Sequence, residues 1–288
     1  MPLRPEPCTG LPLPLHMLRP NGKLKMSDKR GQLESIFEQM GSVAVALSGG
    51  VDSGLLAKVA YSCLGDSAIA LTAVSPSLAS QEQREVTALV EKIGIRHQFL
   101  NSHETEDPRY QANASNRCYF CKTNVYRELI DYARDEGFRY IVDGTNADDV
   151  GDHRPGRRAA REHGVRSPLQ EAALSKAEVR TLARELGLSI WDKPAAACLA
   201  SRIPYGSEVT HEKLSQVEEA EALLSTLGLR QFRVRHHGQV ARLEVEQGDF
   251  ALVFEHRKLI AQQLKELGFV FVAVDLDGFR SGSMNEAL

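Results

Sequence analysis

Three groups of residues could do chemistry by their types and spacing. The first is Ser48-Gly49-Gly50-Val51-Asp52-Ser53, two hydroxyls and a carboxylate around a glycine pair. Glycines let a backbone turn sharply and approach a ligand closely, and the unpaired amides of a helix start point at an anion, so phosphate is the expected guest. The second is Asp143-Gly144-Thr145-Asn146-Ala147-Asp148-Asp149. Acidic groups beside a nucleotide can hold Mg²⁺ against phosphate oxygens, although the same residues also suit a turn with a helix cap. The third is sulfur. Cys118-x-x-Cys121 has the spacing of a redox pair, a zinc site or an iron–sulfur site, or of a merely structural pair. Cys198 stands among the small residues of 195–206, which either leave room around its sulfur or bury it as a structural cysteine. Arginines complete the inventory. Arg233 and Arg235 alternate by two and so share one strand face, a receptor for phosphate or carboxylate or else a solvated face. Arg280 lies in the hydroxyl-rich stretch 277–283, and 154–158 (Arg-Pro-Gly-Arg-Arg) reads as a solvated basic turn or a phosphate clamp. His236 and His237 are adjacent and would face opposite ways on a strand, so they are read as a polar turn rather than a metal site.

Positioning these groups requires particular elements. Residues 43–47 form a short apolar run rich in β-branched side chains, a buried strand, and 54–60 read as a helix. The loop between them is neither GxxxxGK[ST] nor GxGxxG. A helix at 33–40, strands at 68–74 and 96–100, helices at 81–93 and 117–136, and a strand at 139–142 give a βαβαβ rhythm. That rhythm predicts parallel strands with helices on both faces and ligands at the carboxyl ends of the strands. Ser175 and Glu178 have capping-box spacing at the head of an amphipathic helix to 186. From about 207 the pattern changes: a helix (211–227), alternating strands (230–235 and 239–245), a helical stretch (249–267) and a last strand (269–274) predict a small α+β domain of the split βαβ kind. The expected divisions are a disordered leader (1–25), a first domain (26–206) and a second (207–288), with Met1 and Met26 both open as the start.

The chain has 288 residues, 42% hydrophobic and 25% charged, with a net charge of −3. Such a composition describes a globular protein long enough for one large or two modest cores, and the balanced charge argues against a nucleic-acid partner. No apolar run is long enough for a membrane span, and prolines break the leader too often for a signal peptide. Five cysteines, an odd number without an export signal, point to a reducing cytoplasm rather than a disulfide framework.

The hexapeptide SGGVDS resembles the pyrophosphate loop of the PP-loop ATP pyrophosphatases. Taken in order, SGGVDS, RCYFCK (117–122), DGTNADD, ACLASRIPYG (197–206), FRVRHHG (232–238) and GFRSGS (278–283) resemble the LarE family of ATP-dependent sulfur transferases over about residues 30–284. The resemblance implies an α/β fold, a parallel doubly wound PP-loop domain of the adenine nucleotide α-hydrolase kind, with a smaller C-terminal α+β domain for substrate binding and oligomerisation. It implies an enzyme that adenylates a carboxylate of a pyridinium mononucleotide, releases pyrophosphate and replaces oxygen by sulfur, in building the nickel-pincer cofactor of lactate racemase. ATP with Mg²⁺ would lie on Ser48, Gly49, Gly50, Asp52, Ser53, Gly144, Thr145 and Asp148. Cys198, Glu221, Arg233 and Arg235 would be catalytic; Ser201, Arg202, Arg233, Arg235 and Arg280 would hold the substrate. Two sulfur sources stay open. In one branch of the family a cysteine at the position of Cys198 is sacrificed to dehydroalanine; in another, three cysteines, here Cys118, Cys121 and Cys198, hold a [4Fe-4S] cluster carrying an exchangeable sulfide. A homo-oligomer is also implied. Two other classes compete: a PP-loop enzyme of tRNA thiolation or amidation, which should show salt-sensitive RNA binding, and a nucleotide-sensing module, which should release no pyrophosphate.

Overall fold

A computed structural model describes residues 26–151, 155–194, 197–280 and 282–283. The expected leader, Arg154 of the basic turn, Ala195 and Ala196 of the cysteine segment, and Ser281 of the tail lie outside the described residues.

The chain begins with α1 (Met26–Met40), β1 (Val43–Ala46), α2 (Val51–Leu64), β2 (Ala68–Val74), α3 (Ser80–Ile93) and β3 (Arg96–Asn101), followed by α4 (Pro108–Gln111), α5 (Arg117–Asp135) and β4 (Tyr140–Val142). All four strands are parallel, in the order β3-β2-β1-β4. The connection from β1 runs out to β2 and β3 on one side, and the chain then returns to place β4 on the other. The order therefore reverses at β1/β4, and a crevice opens there at the carboxyl ends. Residues 142 and 166 add a parallel bridge beyond β4.

The helix α1 starts seven residues before the expected 33. Only Leu33, Phe37 and Met40 carry the apolar period and are buried. The polar first turns are held from outside, by Lys29 paired with Glu178 at 2.7 Å and by Gln32 donating to the Glu171 carbonyl at 3.3 Å. Further elements are α6 (Pro155–Glu162), α7 (Pro168–Glu171) and α8 (Lys176–Glu185), the last opened by the expected capping box of Ser175 and Glu178.

The second part comprises α9 (His211–Thr226), β5 (Phe232–His237), β6 (Val240–Val245), α10 (Phe250–Glu255), α11 (Arg257–Glu266) and β7 (Phe271–Val274). The expected polar turn at the histidines is a strand instead. His237 pairs with Val240 across a Gly238-Gln239 hairpin, and Gly238 takes φ +62° as such turns require. His236 is buried, bonded to Gln216 at 2.8 Å and set against the Phe269 ring, and burial lowers its pKa. The βαβ is not split: β6 and β7 pair directly, in parallel, with β5 antiparallel on the far side of β6.

The helix α9 joins the parts. Leu214 and Val217 pack in one apolar cluster with Tyr110, Leu199, Ala200 and Ile203, whereas Ala220 and Leu224 belong to the core under β5 and β6. Its two ends thus bury against different neighbours. Leu224→Ala should cost about 2–5 kcal/mol by cavity formation. The melting transition followed by fluorescence of Trp191, in the first part, should shift with it; an unmoved Trp191 transition would show that α9 does not couple the two.

Candidate active site at the carboxyl edge of the parallel sheet

The phosphate-type loop leaves β1 and enters α2 through Gly49, at φ +77°, and Gly50, the N-cap, which has no side-chain cap. The first amides of α2 therefore lack the partner that a capping residue would supply. Ser53 is buried and knits the loop: its Oγ accepts from the Ser48 amide at 3.2 Å, lies 3.1 Å from Ser48 Oγ and donates to the Gly50 carbonyl at 3.2 Å. Asp52 pairs with Lys176 and accepts from Asn146 Nδ2 at 3.2 Å.

The acidic loop after β4 closes on the same point. A Cβ at Gly144 would stand 2.8 Å from the Ser53 nitrogen and 3.0 Å from Asp52 Cβ, so only glycine lets the two loops touch. Asp143 is the scaffold, accepting from Ser167 Oγ at 2.7 Å, Tyr126 Oη at 3.0 Å and the Thr145 amide at 3.1 Å. Asp148 accepts from the Lys176 amide at 2.9 Å. The oxygens of Asp52 and Asp148 are the hard-ligand chemistry that Mg²⁺ takes. Of the basic turn, Arg157 donates to the Asp149 carbonyl and Arg158 pairs with Glu162 at 2.7 Å.

The cysteine segment is brought to this edge by the Leu199 amide, which donates to the Ser77 carbonyl at 2.9 Å just beyond β2. Cys198 is exposed, contrary to the buried structural reading. Arg202, itself buried, holds the turn: it donates to the carbonyls of Ala197 and Cys198 at 2.6 and 3.0 Å and to Ser201 Oγ at 3.0 Å, and it pairs in bidentate fashion with Glu221, both bonds 2.9 Å. Glu221 also accepts from the Val234 amide at 3.0 Å, so its carboxylate positions Arg202 and β5.

The polar face of the second sheet adjoins this turn. Cross-strand pairing sets Arg233 opposite Glu244 and Arg235 opposite Arg242. Arg235 donates to the Ser201 carbonyl at 3.0 Å, to Glu244 at 2.7 Å and to Ser283 at 2.8 Å. Arg233 stacks on Phe279, its centre 5.2 Å from the ring. Burial, then the charge of Arg202, lowers its pKa to about 10. Arg280 pairs with Asp277 at 2.9 Å on the same returning tail, which is anchored by the Phe279 amide on the Val245 carbonyl at 2.8 Å. Three guanidiniums, of Arg202, Arg233 and Arg235, face two carboxylates, Glu221 and Glu244, which leaves a net positive receptor for an anion.

Cys118 and Cys121 lie in the first turns of α5; Cys118 is exposed, whereas burial pushes the Cys121 thiol well up. Buried Arg117 donates to the Ala200 carbonyl at 2.9 Å; burial opposes its charge, and the nearness of Cys198 and Cys118 raises its pKa. The donor chemistry of three thiols suits an iron–sulfur cluster, and Cys121 lies near enough to Cys118 and Cys198 to feel their charge. As they stand, however, no three His, Cys, Asp or Glu side chains among the described residues form a group that could hold a metal ion.

Comparison with known proteins fits this geometry. A sequence model of the NAD synthase family matches residues 32–150. An uncharacterised protein of Synechocystis sp. is 44% identical over 91% of this chain and 99% of its own. The pyridinium-3,5-bisthiocarboxylic acid mononucleotide synthase of Lactiplantibacillus plantarum is 39% identical over 91% of this chain and 96% of its own. The chain belongs to the LarE family of PP-loop enzymes. A more distant relative, an uncharacterised protein of Methanocaldococcus jannaschii, is 28% identical over 89% of this chain. The α/β fold expected of a LarE protein, a parallel PP-loop domain with a second small sheet, is the one observed. No helix among the described residues is long and apolar enough to cross a membrane.

Sequence reasoning named Asp143 and Asn146 in the acidic loop and Arg117 in RCYFCK without giving them a role, and it missed Lys176, which pairs with Asp52, and Arg242 and Glu244, which complete the arginine face. The alternation of 239–245 placed the last two on the face of Arg233 and Arg235. Lys176 carried only the weak signal of following a helix cap. Gly144→Ala should push the two loops apart and weaken binding of a non-hydrolysable ATP analogue by about tenfold or more, measured by titration calorimetry.

Proposed function

We propose that this protein is an ATP-dependent sulfur transferase that acts on a pyridinium biscarboxylic acid mononucleotide, the substrate class suggested by the name of the Lactiplantibacillus relative. One observation carries the reading: an exposed cysteine, tied by Leu199 to the carboxyl edge of the nucleotide sheet, sits on a turn gripped by Arg202 and Arg235.

In this reading the triphosphate lies on Ser48, Gly49, Gly50, Asp52 and Ser53, beside Gly144, Thr145 and Asp148. Asp52 and Asp148 would hold Mg²⁺, which supplies charge neutralisation of the phosphates when bound. Arg202, Arg233, Arg235 and Arg280 draw the substrate's phosphate and carboxylates to the turn. A carboxylate oxygen attacks the α-phosphorus and pyrophosphate leaves. The acyl-adenylate is a mixed anhydride whose AMP is a good leaving group. The Cys198 thiolate attacks its carbonyl carbon and AMP departs, leaving a thioester. Removal of the proton on Cys198 Cα then breaks the Cβ–Sγ bond. The sulfur leaves as a thiocarboxylate on the substrate, and dehydroalanine remains in the chain.

The second sulfur source, sulfide on a [4Fe-4S] cluster held by Cys118, Cys121 and Cys198, is supported by the nearness of Cys121 to each of the other two thiols. The side chains as placed form no ligand set, so this route requires them to move together on loading. The place of action is the cytoplasm, as the unpaired cysteines suggest.

The two sources separate experimentally. After turnover with ATP and the pyridinium substrate, sacrifice predicts a loss of about 34 Da at Cys198, the mass of H₂S; an unaltered chain with iron and sulfide retained after anaerobic purification supports the cluster. Cys198→Ala should abolish sulfur transfer by either route while pyrophosphate release continues. Asp52→Ala should abolish both. Full sulfur transfer by Cys198→Ala would overturn the proposal, and absence of pyrophosphate release by the wild type would return the protein to the nucleotide-sensing class.

A further inference from the structure

The phosphate loop and the first turns of α3 share one half-buried ammonium that the proposed chemistry does not use. Lys193 Nζ lies 2.6 Å from Glu82 Oε2, 2.7 Å from Glu85 Oε2 and 3.2 Å from the carbonyl oxygen of Gly49. An ammonium has three N–H donors, so these contacts saturate it. Two carboxylates already exceed its charge, and the third donor goes to a backbone carbonyl of the loop. Burial works against the charge of Lys193, and Glu82 and Glu85 more than offset it, so its pKa is raised and it is an ammonium at neutral pH.

The carbonyl it holds matters because a trans peptide points its C=O and N–H in opposite directions. With the Gly49 carbonyl turned to Lys193 and α3, the Gly50 amide of the same peptide faces away from them. Gly49 packs against α3 so closely that a Cβ there would stand 2.8 Å from Val86 Cγ2, and its φ is +77°, so no side chain is accommodated at this position. Released from Lys193, the peptide could rotate and turn its carbonyl oxygen toward the phosphate side, where it would repel an anion.

Lys193 lies two residues ahead of the cysteine segment. Its carbonyl accepts from Arg180 at 3.0 Å, and six residues further on the Leu199 amide is fixed on Ser77 at 2.9 Å. Ser77 lies just ahead of α3, whose first amide, that of Ser80, donates to Glu218 of α9 at 2.6 Å. Glu82 and Glu85 stand in the first turns of α3. The stretch from Ser77 into α3 thus reaches the phosphate loop through Lys193, holds Leu199 within the cysteine segment and touches the helix that carries Glu221.

We propose that Lys193 is a positioning residue: it holds the Gly49 carbonyl away from bound phosphate and, through the stretch from Ser77 into α3 that also fixes Leu199, sets the phosphate loop and Cys198 in one register. The inference rests on the ATP-binding reading of the loop. It is tested with the full chain and α,β-methylene-ATP as probe. Lys193→Met alone strands two carboxylates, so the decisive variant joins it to Glu82→Gln and Glu85→Gln, which leaves no unpaired charge. With the fold verified by circular dichroism, the triple variant should bind the probe about tenfold or more weakly, the loss expected of a charge-assisted contact. Alkylation of Cys198 by iodoacetamide, mapped by mass spectrometry, should proceed at a changed rate. A purely structural role would lower the melting temperature and leave both readouts unmoved. Wild-type affinity in the triple variant overturns the inference alone, and an unchanged alkylation rate overturns its coupling to Cys198. If the wild type itself fails to bind the probe, the ATP reading falls and this inference with it.

Discussion

A loop that offers bare amides to an anion must send its own carbonyls elsewhere, and much of this structure serves that constraint. The Ser48–Ser53 turn has no capping side chain, and its interior is closed by Ser53. Its Gly50 carbonyl is taken by Ser53 Oγ and by the Gly54 amide, and its Gly49 carbonyl by Lys193. Once those acceptors are occupied on the inner side, the amides remain for a ligand at the carboxyl ends of the strands. The reversal of strand order at β1 and β4 supplies the crevice, and Gly144 allows the second loop to close against the first.

The sulfur end of the site obeys a different balance. Three guanidiniums crowd within reach of one turn, and each would repel the others were it not for Glu221 and Glu244. Glu244 is fully buried, and its oxygens are shared among Arg235, Arg242 and Ser283. A buried carboxylate is costly unless its oxygens are hydrogen-bonded, and here both are. The lowered pKa of Arg233 records what remains: positive charge that burial and a neighbouring arginine make expensive, and that an anionic substrate would relieve. The two halves of the site are joined mechanically by α9 and by the amino end of α3, so loop, cysteine and arginines are placed by a few shared contacts.

Much of the fold was legible locally. The strand Ala68–Val74 is where its apolar run predicts it, because its first five residues are buried in succession, as a strand covered on both faces requires. The capping box at Ser175 and Glu178 is equally local. Errors fell where tertiary contacts override the pattern. The first turns of α1 are polar and are held by Lys29 on Glu178, and His236 lies in a strand because Gln216 and Phe269 receive its ring. The break at His256 divides an apparently continuous helical stretch into two.

The sequence by itself determined the chemistry available: a glycine loop for phosphate, an acidic loop after a strand, a cysteine among small residues and arginines alternating on one face. These depend on residue type and on periods of two or 3.6, which neighbours along the chain express directly. Only the tertiary structure decided which groups meet. Lys176 reaches Asp52 across 124 positions, Lys193 reaches Gly49 across 144 and Arg235 reaches Ser201 across 34. No local pattern encodes such pairings, because they arise from the parallel crossovers and from α9 spanning two cores. The loop that began as a phosphate motif is, in the folded chain, one end of a site whose other end is sulfur.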